Sequence, residues 1–511
     1  MTGQEREKKE QELLGSVASG IFWKLLENGG DQLITFVISI VLARLLGPER
    51  YGTMALMLIF VAVGNVMIQT GFQTALIQKR RVDDTDYSSV FYLSLALAAL
   101  LYLLIFLGAP ACASYFGDTE IGPMLRALSL ILFFGAAISV ETAYIARNMD
   151  FRKQCTATVL ADLISGAAGI GLAFSGAGTW ALVFQQLIKH ICLAGILFLI
   201  LPWRPRAQFS ARRLSVLFSY GWKVLVSGLI DTIYNNLYTP VISRLYNPVF
   251  TGLYSRGNQF PQVIANAAAQ TMQAVMLPAF SKTQDEKERL RDMLRRTVKM
   301  GSFVMFPMMA GLAAVSDNLV DTLLGPDWKG AVPYLALCAL GYSVWPVHIA
   351  NLQAINAQGR SDLYLKLELL KKALGLMVLV VSARYGIFVM IALKSCMDFV
   401  CTLLNAWPNR RLLAYGPFSQ WRDILPEFVC ACIMGSIVFA IPGALQYAGA
   451  ALFPGKVPSA LSSSLLLLCI QIAAGMLLYP GLAALCRLES FTCLLELIRG
   501  IRERGGKKEE N

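Results

Sequence analysis

Long apolar stretches constrain the fold of this chain more than any other feature. Runs of about 20 apolar residues, the length that crosses a bilayer as a helix, recur along the whole 511-residue sequence. Charged residues make up only 15% of the chain, against about 25% in ordinary soluble domains. A soluble core would give shorter apolar runs separated by polar faces. The sequence therefore predicts an all-α polytopic membrane protein without a sizeable soluble domain.

These stretches predict 14 transmembrane helices. The predicted spans are 16–43, 51–77, 87–116, 121–146, 155–175, 178–201, 216–243, 250–280, 300–324, 331–357, 363–383, 386–408, 424–446 and 460–485. The polar first eleven residues are not followed by a short apolar core with a small-residue cleavage site, so no cleaved signal peptide is expected.

The basic residues are distributed very unevenly between the predicted loops. Of the 45 Lys and Arg residues, 33 lie in or beside alternate loops that include both termini, and seven lie in or beside the other loops. This asymmetry follows the positive-inside rule and places both termini in the cytoplasm. The net charge of +12 is then explained by an anionic cytoplasmic leaflet, and no nucleic-acid partner is expected.

The chain repeats itself at an offset of about 200 residues, which predicts two related halves. The matched residues are Arg44, Leu45, Pro48 and Gly52 with Arg244, Leu245, Pro248 and Gly252, and Asp31 with Asp231. Six helices in each half would make the halves parallel, related by an axis along the membrane normal, with a substrate site between them. The predicted organisation is a six-helix bundle in 1–210, a pseudo-symmetric second bundle in 211–415, and two extra C-terminal helices with a basic cytoplasmic tail in 416–511.

Charged residues inside the predicted spans are the first candidates for substrate binding, because a charge in the hydrocarbon region usually faces a cavity or a partner. Lys24 and Asp31 are seven residues apart, and Lys223 and Asp231 are eight apart, so each pair lies on roughly one helix face. We expect the two lysines to face a central cavity, and the two acids to hold the lysines or to help open and close the bundles. Further candidates are Arg126 and Lys189, together with Glu27, Glu141, Asp162, Lys394 and Asp398. The alternative for each is a structural ion pair or a side chain reaching the headgroups.

Amide side chains form the second set of candidates. They recur every three or four residues in two predicted spans, as Asn65, Gln69 and Gln73 and as Gln259, Gln262, Asn266, Gln270 and Gln273. Amides both donate and accept hydrogen bonds, so such stripes suit a hydrated path for a hydroxyl-rich ligand. The alternative is hydrogen bonding between helices.

Catalytic and metal-binding patterns are missing from the sequence. The two histidines, His190 and His348, lie in different halves, and the 11 cysteines show no metal-ligand spacing. We therefore expect a protein that is not an enzyme and holds no metal or cofactor, with packed histidines. Three segments, 203–214, 290–298 and 488–498, have an amphipathic or basic pattern that favours a position in the membrane interface.

Several motifs resemble those of one known family. They are LARLLGPERYG from Leu42, GFQTALIQKR from Gly71, MDFRK from Met149, WRPR from Trp203 and FSYGWK from Phe218. With them the whole chain resembles polysaccharide (oligosaccharide) flippases of the multidrug/oligosaccharidyl-lipid/polysaccharide exporter superfamily. It is most similar to the lipopolysaccharide, colanic acid and teichuronic acid branch.

This resemblance implies a flippase in a bacterial cytoplasmic (inner) membrane. It would move undecaprenyl-diphosphate-linked oligosaccharide units to the outer leaflet by alternating access, for surface polysaccharide biosynthesis. A polysaccharide polymerase and glycosyltransferases are the expected protein partners, and the coupling ion, proton or sodium, is unknown. The resemblance also implies a cationic cavity, for which Lys24, Lys223, Lys189 and Arg126 are the basic candidates. The alternatives are a lipid II flippase, a drug/cation antiporter, or, in another class, a membrane polysaccharide polymerase or ligase.

Overall fold

The computed structural model describes residues 3–79, 82–452 and 463–496. Its contacts divide the chain into two compact units, Met1–Gly252 and Leu253–Asn511. The described residues form helices, one short 3-10 turn and connecting loops, with no strand among them. The predicted division into 1–210, 211–415 and 416–511 stays a prediction.

The first unit is built on one long, kinked helical element. Gly47, at a φ of 73°, interrupts this element between the two spans predicted at 16–43 and 51–77. A positive φ costs glycine little, so the chain can turn there without strain. The helices are α1 (Gly3–Gln78), α2 (Asp84–Phe116), α3 (Ile121–Leu128), α4 (Ile131–Asn148), α5 (Phe151–Phe174), α6 (Thr179–Ile200), α7 (Ala211–Asn236) and α8 (Tyr238–Leu245).

The second unit contains the remaining helices, the first of which, α9, begins in the first unit. They are α9 (Pro248–Ser281), α10 (Lys287–Ala314), α11 (Ser316–Leu323), a 3-10 turn (Pro326–Ala331), α12 (Val332–Ser343), α13 (Trp345–Ala357), α14 (Ser361–Ser382), α15 (Ile387–Leu412), α16 (Pro417–Leu452) and α17 (Ser464–Leu485).

All 14 predicted spans fall on helical segments wherever they are described. Ten described segments are long and apolar enough to cross a membrane. Three further predicted spans lie on α7, α9 and α14, which carry more polar or charged residues and are not among the ten. The last difference from 14 arises because α1 holds two predicted spans and is counted once. The all-α polytopic fold is confirmed, and the count of 14 crossings stays a prediction.

Small residues allow the helices of the first unit to approach closely. A β-carbon at Gly166 of α5 would collide with the side chain of Ile38 on α1. A β-carbon at Gly169 would lie 2.7 Å from the Gln185 side chain on α6. Glycine at helix crossings is the usual means of close packing in membranes. These contacts hold α1, α5 and α6 together around a cluster of charged side chains.

A buried amide network joins three helices of the second unit. Asn351 on α13 and Gln420 on α16 exchange two hydrogen bonds of 2.8 Å, and Asn409 on α15 donates to Asn351 Oδ1 at 2.7 Å. All three side chains are buried. The network attaches α16, the first of the predicted extra C-terminal helices, to the rest of this unit.

The expected interfacial position of segment 290–298 is wrong. Leu290, Leu294 and Val298 are fully buried in the core of the second unit, where Phe280 and Phe306 belong to the same cluster. Arg291 and Arg295 lie on the other side of α10 and are partly or fully exposed. An amphipathic pattern shows that one face is covered and does not distinguish protein from lipid as the cover.

The segment 203–214 docks on protein through part of its length, and the expected position of its basic residues at headgroups stays a prediction. Trp203 is buried, Arg206 pairs with Asp84 at 2.9 Å, and Arg213 pairs with Asp83 at 3.0 Å. The backbone N–H of Arg206 donates to Ser88 Oγ at 3.0 Å. The start of α2 therefore holds this segment through its acids.

The C-terminal segment is packed on the second unit at Leu488 and Phe491, whereas Leu495 is exposed. Leu488 is buried, and the Phe491 ring lies 6.3 Å from that of Phe303. Lys299 donates to Glu489 at 2.5 Å, and this hydrogen bond and charge hold the pKa of the Glu489 carboxyl below its ordinary value. The described part of the predicted interfacial helix thus contacts protein, and residues 497 and 498 lie outside the described residues.

Candidate functional site

A cluster of three charged side chains lies inside the first unit. Lys189 on α6 reaches between Asp31 on α1 and Asp162 on α5, with its Nζ 3.0 Å from Asp31 Oδ1 and 2.6 Å from Asp162 Oδ1. The three helices pack against one another through the glycine contacts described above. The contact with buried Asp162 is poorly screened and therefore strong, whereas Asp31 is more exposed and its contact with Lys189 is more strongly screened. Lys189 and Asp31, both predicted site residues, are thus in direct contact.

The pairing expected along α1 is wrong. Lys24 donates to Glu27 at 2.8 Å and does not pair with Asp31, whose carboxyl contacts Lys189. Residues three apart lie one helical turn away, whereas seven residues separate two side chains by about 10 Å along the axis. Lys24 also lies 5.9 Å from the centroid of the Phe151 ring.

The amides of the second predicted span pack against α4. A β-carbon at Gly135 of α4 would lie 2.7 Å from Asn65 Oδ1 and 3.2 Å from Gln69 Nε2, so both amides rest on this glycine. Gln73 Nε2 donates to Thr142 Oγ1 at 3.0 Å. This stripe has a structural role between helices, and a role for it in substrate binding stays a prediction.

The amides of α9 have the opposite environment. Gln262, Asn266, Gln270 and Gln273 are exposed, and Gln259 is half-buried and accepts a hydrogen bond from Arg256 at 2.5 Å. The four exposed side chains follow one another at steps of three or four and so form a continuous polar face. In a membrane helix, such a face requires water or polar ligand groups.

A second exposed polar face runs along α7. Lys223 and Asp231, the predicted pair, are both exposed, and Ser227 and Asn235 complete a stripe at steps of four. Sequence analysis missed Ser227 and Asn235. The signal that could have found them is their fixed spacing from the two charged residues, which places all four on one face of the helix.

Arg126 lies apart from these features. On α3, its Nε donates to the Phe106 carbonyl at 3.1 Å, and its guanidinium lies 4.2 Å from the Phe106 ring centroid. Both contacts are with α2. The structure does not bring Arg126 together with Lys189 or Asp31, and its predicted role in binding stays a prediction.

The remaining charged candidates occupy separate positions, buried for Glu141 and half-buried for Lys394 and Asp398. Glu141 on α4 is 4% exposed, and its Oε2 has no hydrogen-bond partner among the described residues. Lys394 and Asp398 form a 3.9 Å ion pair on α15, and the Lys394 ammonium lies 5.4 Å from the Tyr342 ring centroid.

Both histidines are packed helix residues that are hydrogen-bonded. His348 Nε2 donates to the Asp398 carbonyl at 3.0 Å, and Asn405 Nδ2 donates to His348 Nδ1 at 3.0 Å. This arrangement requires a neutral ring with its proton on Nε2. His190 Nδ1 donates to the Gln186 carbonyl one turn earlier, at 2.8 Å. Among the described residues, no group of His, Cys, Asp and Glu is arranged to hold a metal ion.

Two repeat-related glycines meet in the first unit. A β-carbon at Gly52 would overlap the Pro248 carbonyl, and a β-carbon at Gly252 would overlap the Pro48 carbonyl. The contact is reciprocal, and each glycine lies four residues after the proline that its partner touches. We call this contact, formed by Pro48, Gly52, Pro248 and Gly252, the glycine seam. It brings together the matched motifs that revealed the repeat in the sequence.

Comparison with known proteins places this architecture among polysaccharide biosynthesis proteins. A family model described as "Polysaccharide biosynthesis protein" matches residues 41–333, more than half of the chain. The succinoglycan biosynthesis transport protein ExoT of Rhizobium meliloti is 26% identical over 64% of this chain and 67% of its own length. The teichuronic acid biosynthesis protein TuaB of Bacillus subtilis is 23% identical over 74% of this chain and 78% of its own length.

Solved structures share the fold. The lipid II flippase MurJ, in an inward closed conformation, superposes with a TM-score of 0.71 over 91% of this chain and 98% of its own, at 13% identity. An inward-facing multidrug resistance MATE family transporter of the MOP superfamily gives a TM-score of 0.59 over 75% of this chain and 95% of its own, at 16% identity. At these identities the likeness shows the fold alone. With the apolar helices, it confirms a multi-pass membrane protein.

Proposed function

The chain belongs to the polysaccharide biosynthesis protein family, and from this premise we propose that it moves a lipid-linked oligosaccharide across the membrane during the synthesis of a surface polysaccharide. The family match is the observation that carries the proposal. The names of the relatives point the same way, since one is a succinoglycan transport protein and another acts in teichuronic acid biosynthesis.

The proposed substrate is an oligosaccharide repeat unit on undecaprenyl diphosphate, flipped from the inner to the outer leaflet of a bacterial cytoplasmic membrane. The exposed amides of α9 and the polar face of α7 support this choice. Gln262, Asn266, Gln270 and Gln273 offer both donors and acceptors, which match the hydroxyl groups of a sugar. Lys223 on α7 supplies a positive charge for the diphosphate.

The proposed orientation places both termini in the cytoplasm. It rests on the 33 basic residues in or beside alternate loops against seven in or beside the others. In this orientation Lys24 and Lys223 lie in the cytoplasmic halves of their predicted spans, 16–43 and 216–243, on the side where a diphosphate would enter. The glycine seam then lies on the opposite, extracytoplasmic side, next to the kink at Gly47 in the middle of α1.

The rival transporter functions are less well supported. A likeness in fold to a lipid II flippase and to a multidrug transporter does not choose a substrate at 13% and 16% identity. The relatives named for polysaccharide biosynthesis match at 20% to 26% identity over most of their length. A polymerase or ligase is disfavoured because the sequence offers no sizeable extracytoplasmic loop for catalytic residues.

Deletion of the gene in its own host is expected to reduce surface polysaccharide and to cause the lipid-linked repeat unit to accumulate. Blocking the flipping step leaves earlier steps running, so the intermediate builds up behind it. Extraction of lipid-linked oligosaccharides with mass spectrometry measures this, with plasmid-borne wild type as the control. Normal surface polysaccharide without accumulation would rule the function out. An arrest of peptidoglycan synthesis would point to lipid II as the substrate.

A further inference from the structure

The Asp31–Lys189–Asp162 cluster has one more acid than base. Lys189 Nζ contacts both carboxyl groups, at 3.0 Å and 2.6 Å. With all three groups ionised, the cluster carries a net charge of −1. An uncompensated charge away from water is costly, so the binding of one positive charge would stabilise the cluster.

One atom of the cluster is left without a partner. Asp162 is 1% exposed, and its Oδ2 accepts no hydrogen bond from the described residues. The carboxyl groups of Asp31 and Asp162 lie within hydrogen-bonding range of each other. Two ionised carboxylates repel at that distance, whereas a single proton lets one donate to the other. The unpartnered oxygen is therefore where a proton would be held.

The exposure of the three side chains decreases from Asp31 through Lys189 to Asp162, which gives a proton a route into the cluster. The Asp31 side chain is 38% exposed, Lys189 is 20% exposed and Asp162 is 2% exposed. A proton can therefore arrive at Asp31 from solvent and be shared with Asp162, which solvent does not reach.

The position that a metal cation would take between the two acids is already filled. Lys189 is a fixed cation that contacts both carboxylates, and its ammonium carries the charge that Na⁺ would supply. One negative charge remains uncompensated, at Asp162 Oδ2. A proton can neutralise it without needing further ligands. Sodium would need several oxygen ligands in the same space.

No other charged side chain described on the neighbouring helices contacts the cluster. On α1, Lys24 pairs with Glu27 at 2.8 Å. On α4, Arg147 donates to the Leu76 carbonyl at 2.9 Å and to two further carbonyls at the end of α1, and the nearest opposite charge to Glu141 is Arg204. At the start of α5, Asp150 pairs with Lys153 at 2.7 Å, and Arg152 lies 5.6 Å from the Trp23 ring centroid. His190 on α6 donates to the Gln186 carbonyl.

We propose that Asp31, Asp162 and Lys189 form a site that binds and releases one proton, and that Lys189 keeps Na⁺ out of it. A role of this site in driving transport rests on the proposed function, whereas the binding of a proton to it does not. Proton uptake neutralises the cluster and weakens the ionic contact between Asp162 on α5 and Lys189. Proton release restores the double ion pair. The site thereby links the ionic contacts among α1, α5 and α6 to the proton gradient.

The test is infrared spectroscopy of the purified full-length protein during titration from neutral to acidic pH. Other acids of the chain also gain carbonyl bands on acidification, so the spectra of the two proteins are compared. Wild type is expected to show the band of one protonated carboxyl group that is missing from Asp162→Asn. The control is Glu120→Gln, at an exposed acid, which keeps it. Because Asp162→Asn leaves Lys189 short of a partner, the double variant Asp162→Asn with Lys189→Met is measured as well and must also lack the band.

Replacing choline by sodium at constant ionic strength separates the two ions. The wild-type band is expected to be unaffected by sodium, whereas sodium should suppress it in Lys189→Met, where the fixed cation is gone. Persistence of the band in both Asp162 variants, or its displacement by sodium in wild type, would overturn the inference. Normal export by Asp162→Asn in cells would exclude the proton site from driving transport and would leave the flippase function standing. Failure of the deletion test would leave the spectroscopic result unaffected.

Discussion

Replacing Gly52 and Gly252 together by alanine is expected to abolish export while the protein still inserts at normal levels. Both positions are helical with ordinary backbone angles, so alanine is not strained by its own conformation. The added β-carbons would overlap the Pro248 and Pro48 carbonyls, and a backbone carbonyl cannot rotate away as a flexible side chain can. Overpacking of this kind costs about 1–3 kcal/mol at each site.

The loss follows from what the seam does in alternating access. We infer that, in the proposed orientation, the seam parts and closes again on the extracytoplasmic side during alternating access, and the added β-carbons would oppose its closing. Alanine at both glycines favours the parted state, so the cycle cannot return to an inward-open form. The single variants should show an intermediate loss of export.

Surface polysaccharide and immunoblots of membrane fractions measure this effect. Gly108→Ala and Gly195→Ala are the matched controls, since a β-carbon at either helical position has no described atom outside its own helical turn within 4 Å. Both should export normally. Normal export by the inserted Gly52→Ala, Gly252→Ala double variant would show that the seam need not close.

The second large effect is expected from replacing Lys24 and Lys223 by methionine. Methionine keeps length and removes charge. If both lysines attract the diphosphate, the double variant loses two charged hydrogen bonds worth about 1.5–3 kcal/mol each, so export falls at least about tenfold. Lys223 is exposed on the polar face of α7, and Lys24 would have to leave Glu27 to bind the substrate. We therefore expect Lys223→Met alone to account for most of the loss.

The alternative is that these lysines only reach the headgroups and set topology. Export would then survive in the double variant, because many other basic residues fix the orientation. Lys282→Met with Lys287→Met is the control, at two exposed lysines, the first directly after α9 and the second at the start of α10. Equal export by the two double variants, both inserted normally, would refute the binding role of Lys24 and Lys223.

The sequence predicted the helices of this fold well because membrane helices are encoded locally. A run of about 20 apolar residues is a sufficient signal in one stretch of chain. The repeat could also be recognised in the sequence, because Pro48 and Gly52 recur as Pro248 and Gly252. Their reciprocal contact was not predicted, since a match in sequence does not say that the matched residues touch.

The charge pairing could not be read from the sequence. Asp31 and Lys189 are 158 positions apart, so helical periodicity offers no information about their contact. Periodicity instead suggested Lys24 as the partner of Asp31, and the nearer Glu27 takes that lysine. The buried face of α10 was misread for a related reason, because Leu290 and Leu294 show an apolar side without showing what covers it.

The two amide stripes show the same limit within one pattern. Gln69 and Gln270 belong to stripes of similar helical spacing, yet the first packs on Gly135 of α4 and the second is exposed. Spacing identifies a common helix face, and only the packing of the neighbouring helices decides whether that face is open to a ligand. The α9 stripe is therefore the better supported of the two as a surface for sugar.

The most direct test of the proposed function is to reconstitute the purified protein in liposomes that contain a fluorescent undecaprenyl-diphosphate-linked oligosaccharide in both leaflets. A membrane-impermeant quencher added outside reaches only the outer leaflet unless the lipid is flipped. With wild-type protein, the whole labelled pool is expected to become accessible during the measurement. Quenching that stops at the outer-leaflet share, as in protein-free liposomes, would contradict the account.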